Sequence, residues 1–298
     1  MLGSKRIDGF PHGGAARQAS MSFETLVALP EKEIDAFYGA VLLANDFSEP
    51  TRWEDVDAAV EEIAAPLYGL RLHEKSLADQ QTTLAQYLSK DLGFRGSESD
   101  YYDPRNSFIP ELLKRKRANP ITLSTLWCEV GDRVGLCLRG IGFPGHYFLR
   151  LESGDSSPAR EAPLYVDPFF GGRVLTEDQI EGLMAQVVGR RVPVSPGHLS
   201  PTTPRRVLLR MLENLRGIYL SRGEDGRAFL AVDRLLLFYP NTASRIIDRA
   251  RLAARLGEIE LARSDYDRAL ANPELPEKDR HDVEEEKMKL SAASAVFS

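Results

Sequence analysis

Cysteine is nearly missing from this sequence: its 298 residues hold two, Cys128 and Cys137, close together in one segment. Two cysteines exclude a disulfide framework, and their spacing matches no paired zinc motif. A reducing, cytoplasmic setting is expected, with no metal. No stretch approaches the roughly 20 apolar residues of a membrane span. The opening MLGSKRIDGFPHGGAARQAS has no apolar segment of the secretory kind; residues 1–25 read as a flexible N-terminal segment, and Met21 as an alternative start. Positive charge is not in excess either, since 38 Lys and Arg face 44 Asp and Glu for a net charge of -6. Nucleic acid and anionic membrane surfaces are therefore not expected as partners, although Lys114-Arg115-Lys116-Arg117 forms one local basic run. The chain has no P-loop, no GxGxxG and no HExxH, so no cofactor is implied.

What is present is the composition of a soluble globular protein, 43% hydrophobic and 28% charged, long enough for one large or two modest domains. Ile34, Phe37, Val41 and Leu42 recur at helical steps, and 56–68 and 77–92 read the same way. A long polar loop is expected over 93–106, then a short helix over 108–117. Asn119 suits an N-cap and Pro120 the first helical position, predicting a helix to about Val134 that ends at Gly135. Strands are predicted at 138–143 and 147–151, broken by Pro144-Gly145, and at 164–166, ending at Asp167-Pro168 before a Gly171-Gly172 turn. A polar loop lies around 153–160. Helices followed by consecutive strands indicate α+β rather than βαβ alternation.

After a linker at 192–204 the chain turns helical and repeats itself. Gly223 and Gly257 lie 34 apart, as do Ala228 and Ala262, and Pro240 and Pro273 lie 33 apart. That period suits tetratricopeptide units at 207–240 and 241–273, with a charged final helix near 276–290 as a solvated cap.

The chemistry-bearing residues lie between 119 and 167. Papain-like folds place a nucleophilic cysteine at a helix start, where unpaired N–H groups stabilise a thiolate, and strands present a histidine and an orienting acid or amide. Gly135-Leu136-Cys137-Leu138, the run Gly142 to Leu149 containing His146, and Val166-Asp167-Pro168-Phe169 resemble the transglutaminase-like core. With Asp100 to Phe108 and Asn119 to Ser124, the chain is similar to SirB-type bacterial proteins, which join such a core to tetratricopeptide repeats; Asn119 stands where a close family motif has Gly. The resemblance implies an α+β fold: a helical N-terminal cluster, a papain-like core with a small antiparallel sheet (26–195), and an all-α repeat region (203–292). It also implies a His146–Asp167 pair and a nucleophile position that falls on Pro120, which has no nucleophilic atom.

Thr122 and Ser124, on the first turns of the same helix, are the hydroxyls that could replace the cysteine. Cys128 lies about 12 Å along the helix, beyond its terminus, and reads as packing, as does Cys137. His146 and Asp167 read as a retained site or as a structural hydrogen bond, with Asp167 also suited to capping the following turn. Arg95, Tyr101, Asp103, Arg105, Asn106, Asn119 and Tyr147 are candidates to line a cleft beside His146; the Asp100–Asn106 stretch reads equally as a self-paired turn. The basic run reads as a solvated helix end, with phosphate binding as its alternative. The expectation is a non-catalytic, possibly regulatory, transglutaminase-like protein that binds a protein or peptide partner through core and repeat surfaces. The alternatives are a hydrolase or acyltransferase using Thr122 or Ser124 with His146 and Asp167, and a small-ligand sensor using the old cleft. Nothing in the sequence indicates an oligomeric state.

Overall fold

A computed structural model describes residues 21–154 and 160–296. The chain divides into two compact units, one ending at Leu208 and one beginning at Leu209. Of the expected flexible segment, residues 1–20 lie outside the described residues, as does most of the 153–160 loop. The remainder is ordered differently from expectation. Phe23–Val27 form helix α1, which Ser22 caps by accepting a hydrogen bond from the Thr25 N–H, and Phe23, Leu26 and Val27 are buried.

The first unit continues with α2 (Ala36–Phe47), α3 (Trp53–Tyr68) and α4 (Leu77–Leu84), the last extended by a π-helical stretch over Ala85–Asp91. Asp35 and Ser76 supply the caps of α2 and α4 through their side-chain oxygens, meeting N–H groups that have no partner within the helix. Next come β1 (Arg95–Gly96), α5 (Ile109–Arg115), β2 (Arg117–Ala118) and α6 (Pro120–Arg133). Two expectations are corrected here. The predicted 108–117 helix stops at Arg115 because Lys116 adopts a left-handed conformation with φ 59°. Arg117 and Ala118 then pair in parallel with β1, inside what was predicted to be loop.

Strands β3 (Cys137–Ile141), β4 (Phe148–Glu152), β5 (Leu164–Asp167) and β6 (Arg173–Val174) form one antiparallel sheet in that order. The strand predicted from Tyr147 begins one residue later, at Phe148, since Gly145 turns the chain with φ 69° and the His146 N–H still bonds back to Phe143 O. Helix α7 (Glu177–Val188) was not predicted. It opens on a capping box in which Thr176 and Gln179 satisfy each other's backbone N–H groups. Its Ile180 and Met184 pack on Ile141, Phe143 and Phe148 and so cover one face of the sheet.

Helix α6 is the centre of this unit. It packs against α2, α3, α5, β3 and β4, and Leu123, Leu126, Trp127 and Val130 are fully buried. Gly172 makes this packing possible: a Cβ there would stand 2.4 Å from the Trp127 ring and 2.9 Å from the Ala85 methyl.

Helix α8 (Pro204–Ser221) leads into the second unit, followed by α9 (Asp225–Phe238), α10 (Ala243–Arg255), α11 (Ile259–Leu270) and α12 (Glu277–Val296). The repeat spacing has a structural counterpart. Gly223 and Gly257 both take positive φ at the turn inside each helix pair, and Ala228 and Ala262 are fully buried. Arg249 of α10 joins the neighbouring helices, donating to Asp233 of α9 at 2.6 Å and to buried Asp265 of α11 at 2.7 and 2.8 Å.

Candidate functional site

The start of α6 is built by its neighbours. Asn119 accepts from the Thr122 N–H at 3.0 Å, the N-cap its type predicts, and its amide donates to the Ser107 hydroxyl at 3.0 Å. The Asn119 N–H in turn bonds to Asn106 O. Asn106, fully buried, donates its own side-chain amide to Asp100 O at 2.6 Å and accepts from Arg115. Asp103 caps the short 3-10 turn Pro104–Ser107 and pairs with Arg105 and Arg115; these guanidinium groups hold its carboxyl below the usual range despite the desolvation that opposes them. Thus Asp103, Asn106 and Asn119 are tied into a brace that fixes the end of α6.

Asp167 ends β5 with its side chain fully buried. One carboxylate oxygen meets His146 Nε2 at 3.0 Å and the other accepts the Phe169 N–H at 3.2 Å. One carboxylate oxygen thus holds the imidazole while the other caps the turn after β5. Arg173 is the antiparallel register partner of Asp167, and its guanidinium lies 3.6 Å from the same oxygen that meets His146.

Thr122 and Ser124 are both fully buried. The Thr122 hydroxyl bonds to Asn119 at 3.0 Å, and the Ser124 hydroxyl has no hydrogen-bond partner among the described residues. Neither is bonded to the His146 ring. Pro120 is itself buried at the first position of α6. Desolvation pushes the Cys128 thiol well above its ordinary range and raises Cys137 as well, so both stay protonated.

The remaining cleft candidates separate. Tyr101 sits beside the pair, its ring 6.0 Å from that of Phe169, which is 6.5 Å from His146. Tyr147 is buried and lies over Gly140 on the neighbouring strand. Gly96 faces Phe169, so Arg95, its strand neighbour, points the other way. Arg105 is exposed, held by Asp103. Sequence reasoning missed Tyr102, Phe170 and Arg173. Tyr102 is 70% exposed and packs edge-on against Tyr101, and the Arg173 guanidinium lies 4.3 Å over the exposed Phe170 ring. The hairpin signal was available: Gly171-Gly172 returns the chain so that Arg173 meets Asp167. Among the described residues no group of three or more His, Cys, Asp or Glu could hold a metal ion.

The family model for the transglutaminase-like superfamily covers residues 54–213. This chain belongs to that superfamily. A tetratricopeptide repeat model covers residues 215–290. Among curated relatives, a UPF0162 protein of Xylella fastidiosa (strain 9a5c) is 30% identical over 256 residues, spanning 83% of this chain and 87% of that one. A UPF0162 protein of Vibrio cholerae is 28% identical over 196 residues, 65% of this chain and 70% of its own. F-box only protein 21 of Mus musculus is 30% identical over 190 residues, 62% of this chain and 29% of the mouse protein. No solved structure matches the chain. The SirB-type resemblance and the order of core then repeats are thus correct. No described helix is long and apolar enough to cross a membrane.

Proposed function

We propose that this protein is a transglutaminase-like pseudoenzyme that works by holding a protein partner, with His146 and Asp167 kept as a structural pair beside the docking surface. The observation that carries this reading is the start of α6: buried Pro120 stands where the family resemblance puts the nucleophile, and the nearby hydroxyls of Thr122 and Ser124 are sealed from solvent. A substrate carbonyl cannot reach a nucleophile that has no accessible surface, and a nucleophile must stand within about 3 Å of its base. What faces solvent beside the pair is Tyr101, Tyr102, Phe170 and Arg173. Tyr and Arg are the residue types over-represented at the energetic centres of interfaces. Repeat arrays of the tetratricopeptide kind supply a second surface of the same use.

The test is affinity purification with the wild-type chain and a Tyr102→Ala, Phe170→Ala double variant. The reading expects a reproducible protein partner that the double variant loses. It fails if no partner is recovered and the purified chain turns over an acyl substrate in a His146-dependent manner. That outcome belongs to a second reading, a hydroxyl hydrolase or acyltransferase, which draws on the intact 3.0 Å bond between His146 and Asp167.

A further inference from the structure

Two arginines stand side by side on the outward face of the β1–β2 ladder. Register pairs Arg95 with Arg117 and Gly96 with Ala118. Gly96 and Ala118 face inward: Ala118 is fully buried, and a Cβ on Gly96 would lie 2.5 Å from the Phe169 ring. Side chains alternate along a strand and adjacent strands lie about 4.8 Å apart. Arg95 and Arg117 therefore share the face opposite Phe169, away from the His146–Asp167 pair.

The rest of the basic run is committed elsewhere. Lys114 lies 3.8 Å from Glu111, Arg115 lies 3.5 Å from Asp103, and the Lys116 ammonium sits 4.1 Å over the Phe94 ring. Arg117 is different. Its Nη1 donates to Gly93 O and Lys116 O, both at 2.9 Å, which fixes the guanidinium plane. Among the described residues, neither its other two nitrogens nor any guanidinium nitrogen of Arg95 makes a hydrogen bond or ion pair. Like charges in opposed ladder positions repel. Burial, and then the charge of Arg95, hold Arg117 below its ordinary range.

We propose that Arg95 and Arg117 form a seat for a phosphoryl group. Two guanidinium forks on one face, one of them fixed in advance by backbone carbonyls, match a dianion with three acceptor oxygens. The bound charge would also remove the repulsion between them. This seat is independent of the partner-binding reading, because it lies on the other face of the ladder.

The test titrates the full chain with inorganic phosphate at constant ionic strength and follows the arginine Nε–Hε resonances by NMR. Saturable shifts of Arg95 and Arg117 are expected. Arg95→Gln, at an exposed position, should weaken binding by about tenfold, the value of one charge-assisted hydrogen bond. Arg117→Lys keeps the charge but loses the fork and should weaken it too. Further arms use a small phosphate monoester, a phosphoserine peptide and the same peptide with Glu in place of phosphoserine. Equal binding of monoester and phosphopeptide assigns the seat to small phosphorylated compounds. Tighter binding of the phosphopeptide assigns it to a phosphorylated protein. Shifts that stay linear, that Arg95→Gln leaves unchanged, or a Glu peptide that binds as tightly as the phosphopeptide, overturn the proposal.

Discussion

Glu129 sits on α6 where three elements bring charge together, and it offers a quantitative test of the packing. Arg133, one turn on, donates to Glu129 at 2.8 Å and to Glu61 of α3 at 3.2 Å, and also pairs with Asp57 of α3. Burial, reinforced by the nearby Asp35 that caps α2, outweighs Arg133 and raises the Glu129 carboxyl from 4.5 to about 7. The folded protein therefore binds this proton more tightly than the unfolded chain does. Stability from this group is fully present below pH 4.5 and is lost as pH rises to about 7. Over that window the loss is roughly 3 kcal/mol. Glu129→Gln keeps an oxygen for the Arg133 bond and removes the titration, while Asp57 and Glu61 still neutralise Arg133. Urea unfolding followed by tryptophan fluorescence at pH 5, 6, 7 and 8 should show the variant gaining on the wild type by about 2.5 kcal/mol across the series. A difference between the two proteins that stays flat with pH, or a variant that loses ground as pH rises, refutes the assignment.

Other substitutions test the same framework by equilibrium unfolding. Gly172→Ala forces a methyl into the Trp127 ring and Ala85 at φ 79°; strain and overpacking together should cost about 2–4 kcal/mol. Asn119→Ala removes the α6 cap and leaves the Ser107 hydroxyl without its donor, a loss of about 1–2 kcal/mol. Arg249→Met leaves Asp265 buried and unpaired, and should cost about 3–5 kcal/mol in the repeat unit. Replacing Arg249, Asp233 and Asp265 together by apolar residues should recover much of that loss.

The parts of the fold that were legible in the sequence rest on local signals. Asn119-Pro120 announced α6 because cap and first-turn preferences act within four residues. The repeat unit was legible because a glycine and an alanine recur at one period, and each recurrence fills the same structural place. Helix α7 carries an equally local signal in the capping box of Thr176 and Gln179. The ends of α5 and the β1–β2 ladder were not legible, since they depend on Lys116 turning left-handed and on pairing between segments 22 residues apart. The site divides in the same way. His146 and Asp167 stand out by residue type and motif. Their setting does not: Arg173 reaches Asp167 only across a hairpin, and Asn106 acts by holding the start of α6 from a distance. Glu129 was invisible for the same reason, because its proton affinity is set by burial and by Asp35, far away in sequence.

The account turns on whether the core unit acts by contact or by chemistry. The most direct measurement compares partner capture and acyl-transfer turnover side by side for wild type, His146→Ala and Tyr102→Ala, Phe170→Ala. The account predicts no turnover in any of them, capture by wild type, and loss of capture in the double variant. Turnover by the wild type that His146→Ala abolishes, with capture absent throughout, would contradict it.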